Sequence, residues 1–229
     1  MSGLAHWGRV LVVAPHPDDE ILGCGGTMAR LRRAGQEVIV AIVTTGRPPA
    51  FEEAQVAMIR RETEAAHDII GVSETRHLRL PAAGLDAIPA AEINRRMSDL
   101  VTELRPDTLL LPFIGDIHLD HQASFLAAMV AARPRHDAAP ARILCYETLS
   151  ETNWYAPPLT AAFVPNCFVD ISDTLPTKLR AFAAFASQVR PFPEERSIEA
   201  LEALARLRGS TVHMQAAEGF ATIRMLERV

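Results

Sequence analysis

Apolar residues along the first two thirds of the chain alternate between short continuous runs and faces repeating at helical spacing. Val10-Leu11-Val12-Val13-Ala14 is unbroken and rich in β-branched residues, the pattern of a strand covered on both faces. A helix is expected from Ile21 to Ala34, with Gly35 as its stop. A second buried strand is expected from Glu37 to Val43, a helix over Glu52–Ile70 closed by Gly71, and a short strand at His77–Leu80. The spacing then predicts a helix over Ala90–Leu104, a strand over Thr108–Leu111 and a helix over Gln122–Ala132. Beyond residue 140 the pattern loosens. Arg142–Tyr146 and Phe163–Val169 read as strands, and Leu175–Gln188 and Ile198–Leu207 as helices. Pro157-Pro158 and Arg190-Pro191-Phe192-Pro193 read as surface turns or lids. Strands alternating with helices imply right-handed parallel β-α-β units. The expected architecture is α/β, a three-layer α/β/α sandwich with a mostly parallel, Rossmann-like sheet.

Composition narrows the class. The 229 residues are 48% hydrophobic and 22% charged, with a net charge of −5, so a disordered chain and a nucleic-acid binder are both excluded. Length and the lack of a linker point to one domain over residues 1–229. Cys24, Cys145 and Cys167 show no CxxC spacing, which argues against a disulfide framework and a thiolate zinc site. No apolar run approaches the ~20 residues of a membrane span. Met1–Trp7 lacks the pattern of a signal peptide. The expectation is a reduced, cytoplasmic protein without a membrane anchor.

In parallel sheets, ligands collect beyond the carboxyl ends of the strands. Both expected loops there carry unusual residues. After the first strand comes Pro15-His16-Pro17-Asp18-Asp19-Glu20. Pro17 keeps His16 extended, so its imidazole leaves the strand in a set direction. Simple N-capping accounts for one or two of the acids, but not for His and Asp three apart beside a buried strand. Imidazole with carboxylate suits zinc where thiolates are lacking. The Gly23-Cys24-Gly25-Gly26 segment departs from G-x-G-x-x-G, because position 28 is Met, and three carboxylates before it would repel a pyrophosphate. Those glycines read instead as places of close helix–sheet packing.

The second loop is Asp116-Ile117-His118-Leu119-Asp120-His121. Alone it reads as a polar loop or a ligand cluster. Together with the first, it gives zinc three protein ligands, His16, Asp19 and His121, and leaves a position for water, as in catalytic sites. A neighbouring carboxylate can then act as base, and a further histidine can serve the far side of the reaction.

The pair of motifs, Pro-His-Pro-Asp-Asp-Glu and His118-x-Asp120-His121, resembles the LmbE/PIG-L family of zinc-dependent N-deacetylases. The resemblance extends over most of the chain, through Ile70-Gly71-Val72, Arg105-Pro106-Asp107, Tyr146-Glu147-Thr148, Lys178 with Ser187-Gln188, Arg208-Gly209 and Ala217-Glu218. It implies Zn2+ on His16, Asp19 and His121, with Asp18 as general base. It implies that His118 stabilises the oxyanion or protonates the leaving amine, with Asp120 orienting it. An arginine of the second helix, Arg60 or its neighbour Arg61, is implied as a substrate contact. Two departures stand out: Asp116 occupies a position where some members carry tyrosine, and Phe185 one where many carry histidine.

The reading that follows is a zinc hydrolase removing an N-acetyl group from an amino sugar or glycoconjugate of N-acetylglucosamine type. The alternatives are a zinc amidase for a non-sugar amide or thiol conjugate, and a non-catalytic metal-containing sugar-binding module. A magnesium phosphohydrolase is disfavoured by three imidazoles. The expected partner is a small N-acetylated sugar or glycoconjugate, and self-association into a homo-oligomer is left open. Glu147, Asn153 and Trp154 follow a strand end, and Trp154 suits either a stacking platform or a core. His213 reads as structural, and His6, His67, His77 and His136 are given no role.

Overall fold

The apolar runs form strands because β-branched residues pack well on a pleated surface covered on both sides. In a computed structural model, residues 7–135, 139–156 and 158–227 are described. His6, His136 and Pro157 lie outside them. The strands are β1 (Val10–Ala14), β2 (Val38–Thr45), β3 (Glu74–Pro81), β4 (Thr108–Pro112), β5 (Arg142–Tyr146), β6 (Cys167–Asp170) and β7 (Ala217–Met225). The helices are α1 (Asp19–Arg33), α2 (Glu53–Ile70), α3 (Ala90–Leu104), α4 (Leu119–Ala131), α5 (Leu175–Ala183) and α6 (Ile198–Ser210). One sheet runs β3-β2-β1-β4-β5-β7-β6, parallel through β5 and antiparallel where β7 meets β5 and β6.

Alternate strand residues feed two cores. Val10, Val12 and Ala14 face α1, α2, α5 and α6, while Leu11 and Val13 face α3 and α4. This is the expected α/β/α sandwich. The strand order reverses between β1 and β4, so the loops after these two strands flank the switch point where such sheets bind ligands. No helix among the described residues is long and apolar enough to cross a membrane.

Four expectations needed correction. α4 begins at Leu119, so Asp120 and His121 stand in its first turn and not in a loop. α5 stops at Ala183, because the chain turns to put Ser187 on Glu62: the Ser187 amide and hydroxyl donate to its two carboxylate oxygens at 2.9 and 2.6 Å. β6 starts only at Cys167; Phe163 packs edge-on against Phe113, with ring centroids 5.2 Å apart. β7 was not foreseen. His213 sits in the turn before it, at φ 60°.

The glycine-rich segment is explained by packing. α1 is kinked at Cys24, as Gly pairs allow. A Cβ on Gly23 would lie 2.1 Å from the Tyr146 ring, and one on Gly26 within 2.9 Å of three Ile171 atoms. The kink frees the Gly26 and Thr27 amides, which donate to the Glu218 carboxylate at 2.9 and 2.7 Å. Lys178 Nζ neutralises that carboxylate at 2.6 Å and donates to the Leu22 carbonyl at 2.8 Å. The internal helix N-terminus therefore holds a protein carboxylate in the place where a dinucleotide fold holds phosphate.

Candidate metal centre

Pro17 and the start of α1 set the first loop. Asp18 occupies the N-cap position but makes no side-chain cap bond, and its φ of 104° is left-handed. Such a conformation is costly for a residue with a Cβ, and it is held by neighbours. Glu20, fully buried, accepts the Asp18 amide at 3.2 Å and meets His67 Nε2 at 3.0 Å; His67 Nδ1 meets Thr75 Oγ1 at 2.7 Å. Capping thus does not account for the buried Asp18 carboxylate.

Three imidazoles converge from β1 and α4. Ring centroids of His16 and His118 lie 4.5 Å apart, of His16 and His121 5.3 Å, and of His118 and His121 5.7 Å. The ligating atoms of His16, Asp19 and His121 all lie within 4.8 Å of one another. His121 Nδ1 meets Asp116 Oδ2 at 2.8 Å, and His16 Nε2 meets Asp120 Oδ2 at 3.0 Å. Each carboxylate fixes one ring nitrogen as a donor and so aims the other at the shared point.

The polar atoms of the cradle fit a cation. His121 Nε2 and Asp19 Oδ1 are buried and have no hydrogen-bond partner among the described residues, although His121 Nε2 lies 3.2 Å from Asp19 Oδ2. Buried polar atoms without partners are rare and call for an explanation. One imidazole nitrogen and one carboxylate oxygen left open in this way, beside the His16 ring, fit a divalent metal.

The electrostatics agree. Burial lowers His16, but the hydrogen bonds to Asp120 and Asp19 outweigh it and raise the imidazole to about 9. Burial also lowers His121, and the Asp19 and Asp116 carboxylates overcome it, to about 10. Despite its burial, Asp19 is held well below the usual carboxylate range by His121 and His16. Burial pushes Asp18 up to about 8, with Arg196 pulling the other way and Asp19 and Glu20 adding to the rise. His118 is lowered by burial and by His16. It caps α4: its Nδ1 accepts the Asp120 amide at 3.1 Å, which leaves the ring proton on Nε2.

Six of the residues anticipated from sequence therefore meet here: His16, Asp18, Asp19, His118, Asp120 and His121. The Asp120 carboxylate meets His16 Nε2 and accepts the amides of Ala83 (2.7 Å) and Leu85 (3.0 Å), while its contact with the His118 ring runs through its own backbone amide. Arg60 is not brought to the site. It lies on the exposed side of α2, with Nε bonded to Glu64 at 3.1 Å, and makes no hydrogen bond to the cluster among the described residues. Glu147 is engaged by Arg208 at 2.6 and 2.7 Å, and Trp154, 61% exposed, is not a core residue.

Two residues were missed. In the sequence Asp116 stands out only as the residue at a position where some family members carry tyrosine. It is fully buried and shared between His121 and Thr152 Oγ1, which donates to it at 2.6 Å. Arg196, whose Nη2 lies 3.3 Å from each Asp18 oxygen, gave no local signal.

Comparison with known proteins places this arrangement. The profile of the PIG-L family, GlcNAc-PI de-N-acetylase, matches residues 11–132, which contain all of these histidines. The chain is 30% identical over 203 residues to the diacetylchitobiose deacetylase of Thermococcus kodakarensis, covering 82% of this chain and 71% of that one. It is 28% identical over 248 residues to the 1D-myo-inositol 2-acetamido-2-deoxy-alpha-D-glucopyranoside deacetylase of Kineococcus radiotolerans, covering 79% and 69%. Among solved structures it is similar to the conserved protein TT1542 from Thermus thermophilus, with a TM-score of 0.78 and 27% identity over 96% of this chain and 97% of that one.

Proposed function

The chain belongs to the PIG-L family of de-N-acetylases, and from that membership and the geometry of the cradle we propose that it hydrolyses the N-acetyl amide of an N-acetylglucosamine-type sugar or glycoconjugate. The observation that carries this reading is the pair of buried atoms without partners among the described residues, His121 Nε2 and Asp19 Oδ1, beside a buried Asp18 carboxylate that makes no cap bond. The sugar follows from the relatives, whose names specify diacetylchitobiose and an acetamido-glucopyranoside.

His16, Asp19 and His121 would hold the metal, and two imidazoles with one carboxylate favour zinc. Zinc held there would supply Lewis acidity, polarising the amide carbonyl and bringing the pKa of a water toward about 7. The chain's own groups divide the rest. Asp18 accepts the proton of the attacking water and returns it to the departing nitrogen, so that acetate and a free amine leave. His118, neutral and with its proton on Nε2, donates to the oxygen on which negative charge develops. Asp116 and Asp120 keep the two ligating rings in position.

Two substitutions separate these roles. Asp18→Asn should retain zinc and lose at least ~100-fold in turnover. His121→Ala should lose zinc itself. Wild-type turnover in Asp18→Asn would sink the assignment of the base.

A further inference from the structure

The loop between α5 and α6 has no part in the reading so far, yet it sends one side chain into the site. Arg190 N donates to the Arg196 carbonyl at 3.0 Å, which closes residues 190–196 into a loop. The next residue, Ser197, caps α6 by accepting the Ala200 amide at 3.1 Å. Glu195 accepts from the side chains of Asn153 and Trp154, which ties this loop to the segment after β5. Arg196 is thus fixed from both sides before its side chain is considered.

That side chain is three-quarters buried. Its Nη1 donates to Gln188 Oε1 at 3.0 Å, and its Nη2 lies 3.3 Å from both Asp18 oxygens. Its Nε is buried without an acceptor among the described residues, an arrangement that stability alone does not favour. The Asp18 carboxylate makes no cap bond to its own helix, and the Arg196 guanidinium donates to it. Two nearly equal contacts from a single nitrogen restrain the carboxylate plane, in the manner of a charge-assisted pair.

We propose that Arg196 is a positioning residue that holds the Asp18 carboxylate in its working orientation beside the His16–Asp19–His121 cradle. The inference rests on Asp18 being the base of the reaction proposed above. Its consequence is that Arg196 acts through Asp18 and contributes nothing once Asp18 is disabled.

The test is a cycle of four zinc-loaded proteins: wild type, Arg196→Ala, Asp18→Asn and the double variant. Each is assayed for kcat and KM on an N-acetylated glucosamine substrate, and for bound zinc. Misplacement of a catalytic group by about 1 Å costs about 100-fold, so Arg196→Ala should lose about that much in kcat with KM and zinc content near wild type. In the Asp18→Asn background, the same change should alter kcat by less than about twofold. Added guanidinium ion should raise the rate of Arg196→Ala and not of wild type. The metal-free proteins give a readout independent of turnover: their urea midpoints should be non-additive across the cycle. Should Arg196→Ala fail to fold, Arg196→Lys is expected to keep zinc and still lose kcat, because a point ammonium does not reproduce the planar fork. Unchanged kcat in Arg196→Ala, a loss confined to KM, or a loss that persists undiminished beside Asp18→Asn would each overturn the proposal, as would additive urea midpoints. A wild-type protein inactive on every acetylated sugar would instead be the failure of the de-N-acetylation reading, and the urea cycle would still decide the contact.

Discussion

Asp116 offers the sharpest prediction, because its two oxygens have separate and measurable duties. Oδ2 holds His121 Nδ1 at 2.8 Å, and Oδ1 accepts from Thr152 Oγ1 at 2.6 Å, in a fully buried setting. Asp116→Asn can keep both contacts, its amide oxygen facing His121 and its NH2 facing the threonine hydroxyl. What it loses is the charge, and hydrogen bonds to a charged acceptor are roughly twice as strong as neutral ones. Removing a partner of a ligating histidine costs ~10- to 100-fold in metal affinity. Asp116→Asn should therefore weaken zinc binding about tenfold, or ~1.4 kcal/mol. Asp116→Leu, which leaves His121 Nδ1 and the threonine hydroxyl without an acceptor, should weaken it about 100-fold. Competition against a chromophoric chelator at fixed pH reads both values. Wild-type affinity in Asp116→Leu would refute the reasoning, and so would an Asn variant as damaged as the Leu variant.

Other consequences follow from the same structure. Lys178→Met would strand the buried Glu218 carboxylate beside its two backbone donors, and losing one partner of a buried ion pair costs ~3–5 kcal/mol, measurable as a fall in the urea midpoint. Gly26→Ala would drive a methyl against Ile171, at an overpacking cost of ~1–3 kcal/mol in the same experiment, with Gly35→Ala unsuitable as a control because its φ is 76°. His16 and His121 are raised to about 9 and about 10, so in the metal-free protein their pairing stabilises the fold fully below the unfolded value near ~6.5. That contribution is lost as the pH rises through 9 to 10. Zinc must displace both protons, so its affinity should rise by roughly 100-fold per pH unit between pH ~6.5 and ~7.5; a slope of zero in calorimetry would contradict this.

Much of this site was legible because its chemistry is local. His16, Asp18 and Asp19 share one strand end, and His118, Asp120 and His121 share one helix start. Buried parallel strands announce themselves as continuous apolar runs, which puts the loops after β1 and β4 at the carboxyl edge of the sheet; that these two strands are neighbours is shown by the fold. β7 escaped because only its first four residues are fully buried, and one of them, Glu218, is a charge that makes sense only with Lys178, forty positions away. α4 was started late because its first turn is built from the polar motif itself, with His118 as the cap. Sequence proximity shows the contact of Asp120 with His118 but not the one its carboxylate makes with His16, 104 residues away. Arg196 lies 178 residues from Asp18 in a proline-rich loop, and no spacing rule connects them.

The most direct test of the account is acetate release by the zinc-loaded protein from a panel of N-acetylated glucosamine sugars, sugar nucleotides and glycosides, with the metal-stripped protein alongside. The account predicts stoichiometric acetate and free amine from at least one of these, abolished by metal removal and restored by zinc. Hydrolysis that proceeds equally well in the metal-stripped protein would contradict it, as would a fully zinc-loaded protein that releases acetate from none of them.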